Sequence, residues 1–249
     1  MKGALAAAFL ALAVPSVHAV DKTRFPQLVA QLKAAATNLD RMALLSTNAD
    51  WFFDFNIQPY STFSPGGVVN ANAATFPATV GAGMTMAMLN LGPCSMLPPH
   101  LHPRATNFVV AVHGTTQTYM INENGAPTIS QVLQPGQMTI FPQGAVHSMY
   151  NMGCNNAQLV SALNSEDPGT SNLINGLFNI PNADLVNAAM GYQNIDTNAT
   201  ASGIPAVGTG SIYGIASCLK KCNAQNKGQA PSDAYGAKVS PFNYAAGGN

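Results

Sequence analysis

The sequence predicts an all-β protein, a sandwich or barrel with a helical extension at each end. Short runs rich in Val, Thr, Met and Phe recur between residues 68 and 165. Gly, Pro and Asn separate these runs at intervals of about ten residues, which is typical of a sandwich or barrel. Apolar residues at helical spacing precede and follow this region. A chain of 249 residues is long enough for one such domain with extensions.

The first residues predict a secretory signal peptide, assigned to residues 1–19. Lys2 gives a basic start, residues 3–14 form an Ala/Leu-rich run, and Pro15 breaks it before small residues that permit cleavage after Ala19. The run is shorter than the roughly 20 residues that span a bilayer, and no later segment is apolar enough. We therefore expect a protein without a membrane span, secreted to the extracellular space or cell wall.

The composition excludes two classes of protein. Only 8% of residues are charged, against about 25% in a typical domain. Ten basic residues balance ten acidic ones, so no basic surplus exists to neutralise the phosphates of a nucleic acid. A hydrophobic content of 47% argues against general disorder.

Helical spacing predicts a helix over residues 24–46, followed by a strand-like aromatic run at 51–55. These elements form an N-terminal extension over residues 20–60. The barrel is assigned to residues 61–165, and Asn124-Gly125 supplies a hairpin tip. The predicted strands are Gly83–Leu91, Asn107–Val112, Thr116–Asn122, Gln137–Phe141, Val146–Tyr150 and Ala157–Leu163.

Helical spacing returns beyond Pro168, and residues 166–223 are assigned to C-terminal helices. The predicted helices are Ser171–Phe178, Ala183–Met190 with Asn182 as its cap, and Ile212–Cys222. Residues 224–249 are rich in Gly, Ala and Asn without a pattern and are assigned to a disordered tail. The sequon Asn198-Ala199-Thr200, in a polar and loop-like stretch, predicts N-glycosylation at Asn198.

Three of the histidines predict a metal site. His100 and His102 are two residues apart, which places both rings on one side of a strand. Pro142 and Gly144 shape a turn that would aim His147 toward the same place. The alternative is that these histidines lie on the surface or serve as hydrogen-bonding groups. His113 is too far along its strand to share the metal, so we assign it a structural or surface role.

The four cysteines predict two disulfides, because an even count favours disulfides in an oxidising compartment. The alternative is a zinc site, which the absence of a CxxC pair disfavours. They are Cys94, Cys154, Cys218 and Cys222. If the strands that precede His100 and follow His147 run antiparallel, their far ends meet and Cys94–Cys154 becomes the expected pair. Cys218 and Cys222 would then bridge at a frayed helix end or pair elsewhere.

Two segments carry a resemblance to a known family. The run from His100 to Asn107, followed by Gly114, resembles the first cupin motif. The second motif is matched in spacing by Gly136, Pro142, Gly144, His147 and Asn151. The fuller resemblance is to germin-like cupins, and within them to secreted fungal and slime-mould proteins of the spherulin-1 type. It covers roughly residues 50–222.

The resemblance implies a cupin jelly-roll β-barrel with a divalent metal ion in its mouth. Relatives hold the metal with three histidines and one glutamate, which fall here on His100, His102, His147 and Asn107. Asn107 is thus a weak or absent ligand, because an amide is neutral and cannot accept a proton as a carboxylate does. The resemblance implies Mn²⁺, whereas three imidazoles without the carboxylate also suit Zn²⁺ or Cu²⁺.

Two functions compete at this point. One is a secreted metal-binding cupin with oxidoreductase-type activity, and the alternative is a non-catalytic extracellular protein with a structural or a stress- and spore-related role. A third candidate, a sugar- or hormone-binding module, is supported only by the cavity that the cupin fold implies. The resemblance also implies a homo-oligomer built through the helical extensions, although these helices could equally pack on their own barrel.

Several further side chains receive expected roles. Arg104 would hold an acidic neighbour or gate an anion, and Asn151 would hydrogen-bond backbone near the site. Two groups are expected to fill the barrel core, namely Phe108, Val109 and Val110 on one strand and Met84, Met86 and Met88 on another.

Overall fold

A computed structural model of the chain describes residues 22–204 and 210–225. The predicted signal peptide and nearly all of the predicted tail lie outside the described residues. Within those two ranges, no helix is long and apolar enough to cross a membrane.

The N-terminal region holds two short helices where the sequence predicted one. They are α1 (Pro26–Ala34) and α2 (Asn38–Leu44). The break falls at Thr37, whose hydroxyl accepts the Asp40 backbone N–H at 3.2 Å while the Asp40 carboxylate accepts the Thr37 N–H at 3.1 Å. This reciprocal capping starts a new helix at α2. The two helices close a small apolar cluster formed by Val29, Leu32, Leu45, Ala73 and Val80.

The predicted strand at 51–55 is wrong. A 3-10 turn over Asn48–Trp51 ends there, and no strand follows before residue 66. Thr47 and Asp50 repeat the capping arrangement of the preceding helix, with the Thr47 N–H donating to the Asp50 carboxylate at 2.8 Å. These local hydrogen bonds stabilise a turn at the start of the aromatic run, where the sequence predicted a strand.

In the described part of the chain, eleven strands form two antiparallel sheets that face one another as a jelly roll. The first sheet has the order β1-β2-β9-β4-β7, and the second has the order β10-β3-β8-β5-β6 with β11 paired to β3. Each of the six predicted strands is present within two residues at either end. The strands are β1 (Gly66–Ala71), β2 (Thr85–Leu91), β3 (Ser95–Leu101), β4 (Asn107–His113), β5 (Thr116–Ile121), β6 (Ile129–Leu133), β7 (Met138–Phe141), β8 (Val146–Asn151), β9 (Ala157–Leu163), β10 (Ser171–Asn172) and β11 (Ile212–Tyr213).

The core lies between the sheets and takes alternate residues of each strand. It includes Leu89, Val109, Phe141, Met149 and Leu159. Each such side chain contributes about 1.5–3 kcal/mol by leaving water. Val109 fills the core as predicted.

The prediction that the side chains of these two groups fill the core is wrong for three of them, which lie on or next to strands of the first sheet. Phe108 is 48% exposed, and Met84 and Met86 are 41% and 42% exposed. Successive side chains of a strand point to opposite faces, and Val109 and Ala87 take the inward positions on β4 and β2. The apolar residues beside them are therefore turned to the outside of the barrel.

Over residues 166–204 and 210–225 the C-terminal region adds four helices, α3 (Leu173–Phe178), α4 (Ala183–Ala189), α5 (Thr197–Gly203) and α6 (Ala216–Gln225). The side chain of Asn182 caps α4 by accepting the Leu185 N–H at 3.0 Å, as predicted. The helix predicted from Ile212 starts later, because residues 212 and 213 pair with β3 as β11. Asn198 lies exposed on α5 instead of in a loop.

The disulfides join Cys94 to Cys218 and Cys154 to Cys222, so the predicted Cys94–Cys154 pair is wrong. Its premise is nevertheless correct. Strands β3 and β8 are antiparallel, and their far ends meet where the Cys94 N–H donates to the Gly153 carbonyl at 3.1 Å. Helix α6 presents two cysteines one turn apart over this end of the barrel, and each bonds to one of the strand-end cysteines.

Candidate metal centre

Strands β3 and β8 bring the three predicted histidines together at the mouth of the barrel. His100 and His147 are direct cross-strand partners, and His102 follows the last residue of β3. The ring centroids lie 4.2 Å apart for His100 and His147 and 5.3 Å apart for His100 and His102. One ring nitrogen of each histidine lies within 4.8 Å of those of the other two.

A tight turn before β8 aims His147 inward. The Ala145 N–H donates to the Pro142 carbonyl at 3.0 Å, and Gly144 has a φ of 78°, which favours glycine. The Gly144 N–H donates to the His102 carbonyl at 3.1 Å, so the two histidine-bearing segments contact each other directly. The Phe141 ring stacks on the His147 ring at 4.2 Å and fixes its plane.

Backbone carbonyls set the tautomer of all three rings. The Nδ1 atom of His100 lies 2.7 Å from the Pro98 carbonyl oxygen, and that of His147 lies 2.9 Å from the Ala145 oxygen. The Nδ1 atom of His102 lies 2.7 Å from the carbonyl oxygen of Gly169. A carbonyl only accepts, so each Nδ1 carries the proton and donates it, which leaves a lone pair on the Nε2 atom of each ring.

Burial keeps these rings neutral. It lowers the pKa of His100 to about 4 and that of His147 to about 2, and the charge of a neighbouring imidazole lowers both pKa values further. Burial also lowers the pKa of His102. Neutral imidazole is the form that binds metal ions.

Asn107 lies beside the cluster, at the position where the resemblance implies a glutamate. Its Nδ2 atom is 3.4 Å from the Nε2 atom of His102, and its buried Oδ1 atom has no hydrogen-bond partner. The buried Nε2 atom of His147 also has none. Partnerless buried polar atoms are costly and call for a ligand. A half-turn of the amide would bring Oδ1 to the histidine side, where it could complete a donor set of three nitrogens and one oxygen.

A loop after β9 holds His102 in place. Arg104 donates to the Asp167 carbonyl from Nε at 2.7 Å and to the Asp167 carboxylate from Nη2 at 2.9 Å. Gly169, with a φ of 67°, then presents its carbonyl to His102. Of the two roles expected for Arg104, the structure shows the contact with an acidic neighbour. Sequence reasoning missed Gly169, because nothing near the histidine motif points to a residue 67 positions away.

A cavity opens from the histidines into the barrel, with an empty volume of about 520 Å³ counted out to its open mouth. Apolar side chains such as Val68, Leu97 and Leu163 line much of it, together with the polar Asn70 and Ser161. None of its lining residues in the described part of the chain is charged. The cavity is therefore an uncharged and largely apolar space bordered by His100 and His102.

The remaining predicted site residues lie elsewhere. His113 is exposed, with its Nδ1 atom 3.0 Å from the Asn156 carbonyl oxygen, and it is not part of the histidine cluster. Asn151 does hydrogen-bond backbone, donating to the Gly92 and Asn155 carbonyls at 2.8 Å each. It does so at the opposite end of β8 from His147, and not near the site as expected.

A jelly-roll barrel with three tautomer-fixed histidines at its mouth has the architecture of the cupins. The chain belongs to the cupin family, whose profile matches residues 55–194. Within that family it is a germin-like protein of the spherulin type.

The relatives support this placement. The chain is 36% identical over 200 residues to Spherulin-1A of Physarum polycephalum, which covers 79% of each protein. It is 31% identical over 178 residues to Germin-like protein 1-1 of Oryza sativa subsp. japonica, covering 70% of this chain and 82% of that one. A solved structure of oxalate oxidase superposes with a TM-score of 0.55 at 25% identity, over 61% of this chain and 80% of that one.

Proposed function

We propose that the protein binds a divalent metal ion through His100, His102 and His147, with the amide of Asn107 as a weak fourth ligand. The observation that carries this proposal is the set of three Nδ1–H groups donating to backbone carbonyls. They leave a lone pair on each Nε2 atom, and one ring nitrogen of each histidine lies within 4.8 Å of those of the other two. Such an ion would supply Lewis acidity to an oxygen-containing ligand in the cavity.

The donor set bears on the identity of the metal. Three imidazoles suit Zn²⁺ or Cu²⁺, whereas Mn²⁺, implied by the resemblance, prefers oxygen-rich sites. Asn107 adds no negative charge, so the site with its ion would carry a charge of +2 where a glutamate would leave +1. The chain therefore gives Mn²⁺ less support than its relatives' ligand set would.

The similarity to oxalate oxidase supports oxidoreductase-type activity on a small acid as the first candidate reaction. A second candidate, a non-catalytic extracellular role, is supported by Asn107, because its amide cannot take up a proton. Secretion is part of the proposal. It is supported by the predicted signal peptide, by the two disulfides and by the similarity to germin-like and spherulin proteins.

The test uses protein purified from the culture medium of an expressing host. Its intact mass reports an N-terminus near Val20 and any glycan on Asn198, and elemental analysis reports the metal and its occupancy. His147→Ala is expected to weaken metal affinity by more than about 100-fold, because removing one of three strong ligands costs more than the loss of about 10–100-fold caused by moving a group that orients a ligand. His113→Ala is the matched control and should leave occupancy unchanged, since His113 lies outside the cluster.

Metal-free protein that takes up no Zn²⁺, Cu²⁺ or Mn²⁺ on titration would contradict the proposal. Bound metal without turnover of oxalate, superoxide or phenols would favour the non-catalytic candidate.

A further inference from the structure

The two disulfides are in direct contact where α6 covers the ends of β3 and β8. Their members, which we call the four-cysteine cluster, are Cys94, Cys154, Cys218 and Cys222. The Sγ atoms of Cys94 and Cys222 belong to different disulfides, yet they lie only 3.3 Å apart. Those of Cys94, Cys218 and Cys222 all lie within 4.8 Å of one another. A thiolate on Cys222 would therefore have a disulfide sulfur within reach.

The four cysteines differ in their access to solvent. Cys94, Cys218 and Cys222 are buried, and Leu219 packs beside them. Cys154 is half-buried, and the residue that follows it is exposed. Because attack on a disulfide depends on which sulfur can be reached, a thiol in solution would enter the cluster at Cys154.

The two cysteines of α6 occupy different positions along the helix. Cys218 is the third residue of α6 and lies in its first turn, whereas Cys222 lies one turn later. The N-terminus of a helix carries a partial positive charge, which stabilises a thiolate in the first turn. Negative charge is therefore favoured on Cys218 over Cys222.

Cys94 has a backbone conformation that favours glycine, with a φ of 55°. Its N–H donates to the Gly153 carbonyl at 3.1 Å, and its carbonyl accepts the Gly214 N–H at 2.7 Å. Such a conformation is costly for a residue with a Cβ atom and persists only where the surroundings hold it. These two backbone hydrogen bonds hold Cys94 in place independently of its disulfide partner.

We propose that the four-cysteine cluster is a thiol-exchange site for a low-molecular-weight thiol. The thiolate of that molecule attacks the Sγ atom of Cys154 and forms a mixed disulfide. The Cys154–Cys222 bond breaks, and Cys222 leaves with the electron pair as a thiolate. Cys222 then attacks the Sγ atom of Cys94, 3.3 Å away. A Cys94–Cys222 bond forms, the Cys94–Cys218 bond breaks, and Cys218 leaves as the new thiolate.

The exchange is balanced in electrons. Two disulfides are present before it, and two are present after it, namely the mixed disulfide on Cys154 and the Cys94–Cys222 bond. The negative charge moves from Cys222 to Cys218, the position that the helix N-terminus favours. Cys94 is bonded to α6 at every stage, so the protein takes up the thiol without detaching this helix from β3.

The first test treats the full secreted protein with glutathione in mildly alkaline solution. Free thiols are then blocked with an alkylating reagent, and the linked peptides are mapped without reduction. We expect glutathione on Cys154 and the alkyl group on Cys218. The Cys94–Cys222 peptide should exceed the Cys94–Cys218 peptide by about threefold, the effect of a helix N-terminus on a charge in its first turn.

Three outcomes of this experiment would overturn the proposal. They are a protein that takes up no glutathione, glutathione bound to another cysteine, and an alkylated Cys222 beside an intact Cys94–Cys218 disulfide.

Three single variants test the internal step without an added thiol. Cys154→Ser frees Cys222, whose attack on Cys94 should leave Cys218 as the free thiol. Cys218→Ser frees Cys94, whose attack on Cys222 should leave Cys154 as the free thiol. Cys222→Ser is the matched control, because it removes one sulfur of the 3.3 Å contact and should leave the Cys94–Cys218 disulfide intact. A free Cys222 in the first variant or a free Cys94 in the second would overturn the proposal.

Discussion

Strands β3 and β8 end in two different kinds of structure. At one end His100 and His147 face each other beside buried polar atoms without partners, the Nε2 of His147 and the Oδ1 of Asn107. At the other end Cys94 and Cys154 are bonded to α6. The same strand pair therefore carries the histidines at one end and the disulfides at the other, separated by the length of the strands.

The difference shows how the barrel can be stable although its mouth contains buried polar atoms without hydrogen-bond partners. A buried polar atom without a partner costs about 1–3 kcal/mol. A disulfide that closes a long loop contributes about 2–4 kcal/mol, which offsets that cost. The disulfide end thus adds stability to the strand pair, and the mouth remains free to bind a ligand.

The largest expected effect comes from removing one of the two disulfides. Cys154→Ser combined with Cys222→Ser should lower the free energy of unfolding by about 2–4 kcal/mol, because it opens a loop of 68 residues. Denaturant unfolding of the metal-free protein measures this change. Metal affinity, measured by calorimetry on the folded variant, should change less than about threefold, since independent distant sites are nearly additive.

The intact Cys94–Cys218 disulfide keeps α6 attached in that variant. A loss of metal affinity as large as the loss of stability would show that the two ends are coupled, and the comparison would fail.

The next effect concerns the loop that holds His102. Gly169→Ala should weaken metal affinity by about 10–100-fold, the usual loss when a group that orients a ligand is moved. Gly169 has a φ of 67°, and an added Cβ would lie 2.8 Å from the Arg104 guanidinium. Alanine is strained at this positive φ, and the guanidinium that binds Asp167 must also move away from the new Cβ. Both changes disturb the loop whose carbonyl accepts the His102 Nδ1–H.

Gly176→Ala on α3 is the matched control, because an added Cβ there meets nothing within 4 Å. It should leave metal affinity unchanged. Equal effects of the two glycine variants would show that the loop does not position His102.

Local patterns predicted most of the fold and the three histidines. The pattern that predicts each strand involves only neighbouring residues. His100, His102 and His147 are likewise recognised from short motifs, which belong to two adjacent strands. The break between α1 and α2 also had a local signal, since Thr37 and Asp40 have the spacing of a capping box. These features could be read because their causes lie within a few residues of one another.

The features that the sequence did not predict depend on long-range packing. The disulfide pairing depends on where α6 docks, and Cys94 and Cys218 are 124 residues apart. The exposure of Phe108 and Met86 was missed because a strand that is apolar on both sides gives no period from which to choose the inner face. The role of Gly169 depends in the same way on a loop brought to the mouth by the fold.

The smallest expected effect sharpens the chemistry of the mouth. Asn107→Glu should raise Mn²⁺ affinity by about tenfold, because it restores a charged oxygen ligand of the kind that Mn²⁺ prefers. Zn²⁺ affinity should change less, since three imidazoles already suit that ion. Titration of each metal into metal-free protein measures both affinities.

Asn107→Gln is the matched control, since it adds the same methylene as glutamate while keeping the amide neutral. Asn107 is only 2% exposed, so both variants should lose about 1 kcal/mol or more of metal-free stability through overpacking. Only the glutamate should recover that loss when Mn²⁺ is added, because a ligand that binds the folded state alone stabilises it by mass action. Equal Mn²⁺ affinities for the two variants would place residue 107 outside the metal shell. The mouth would then depend on its histidines alone, and its partnerless amide oxygen would require another ligand.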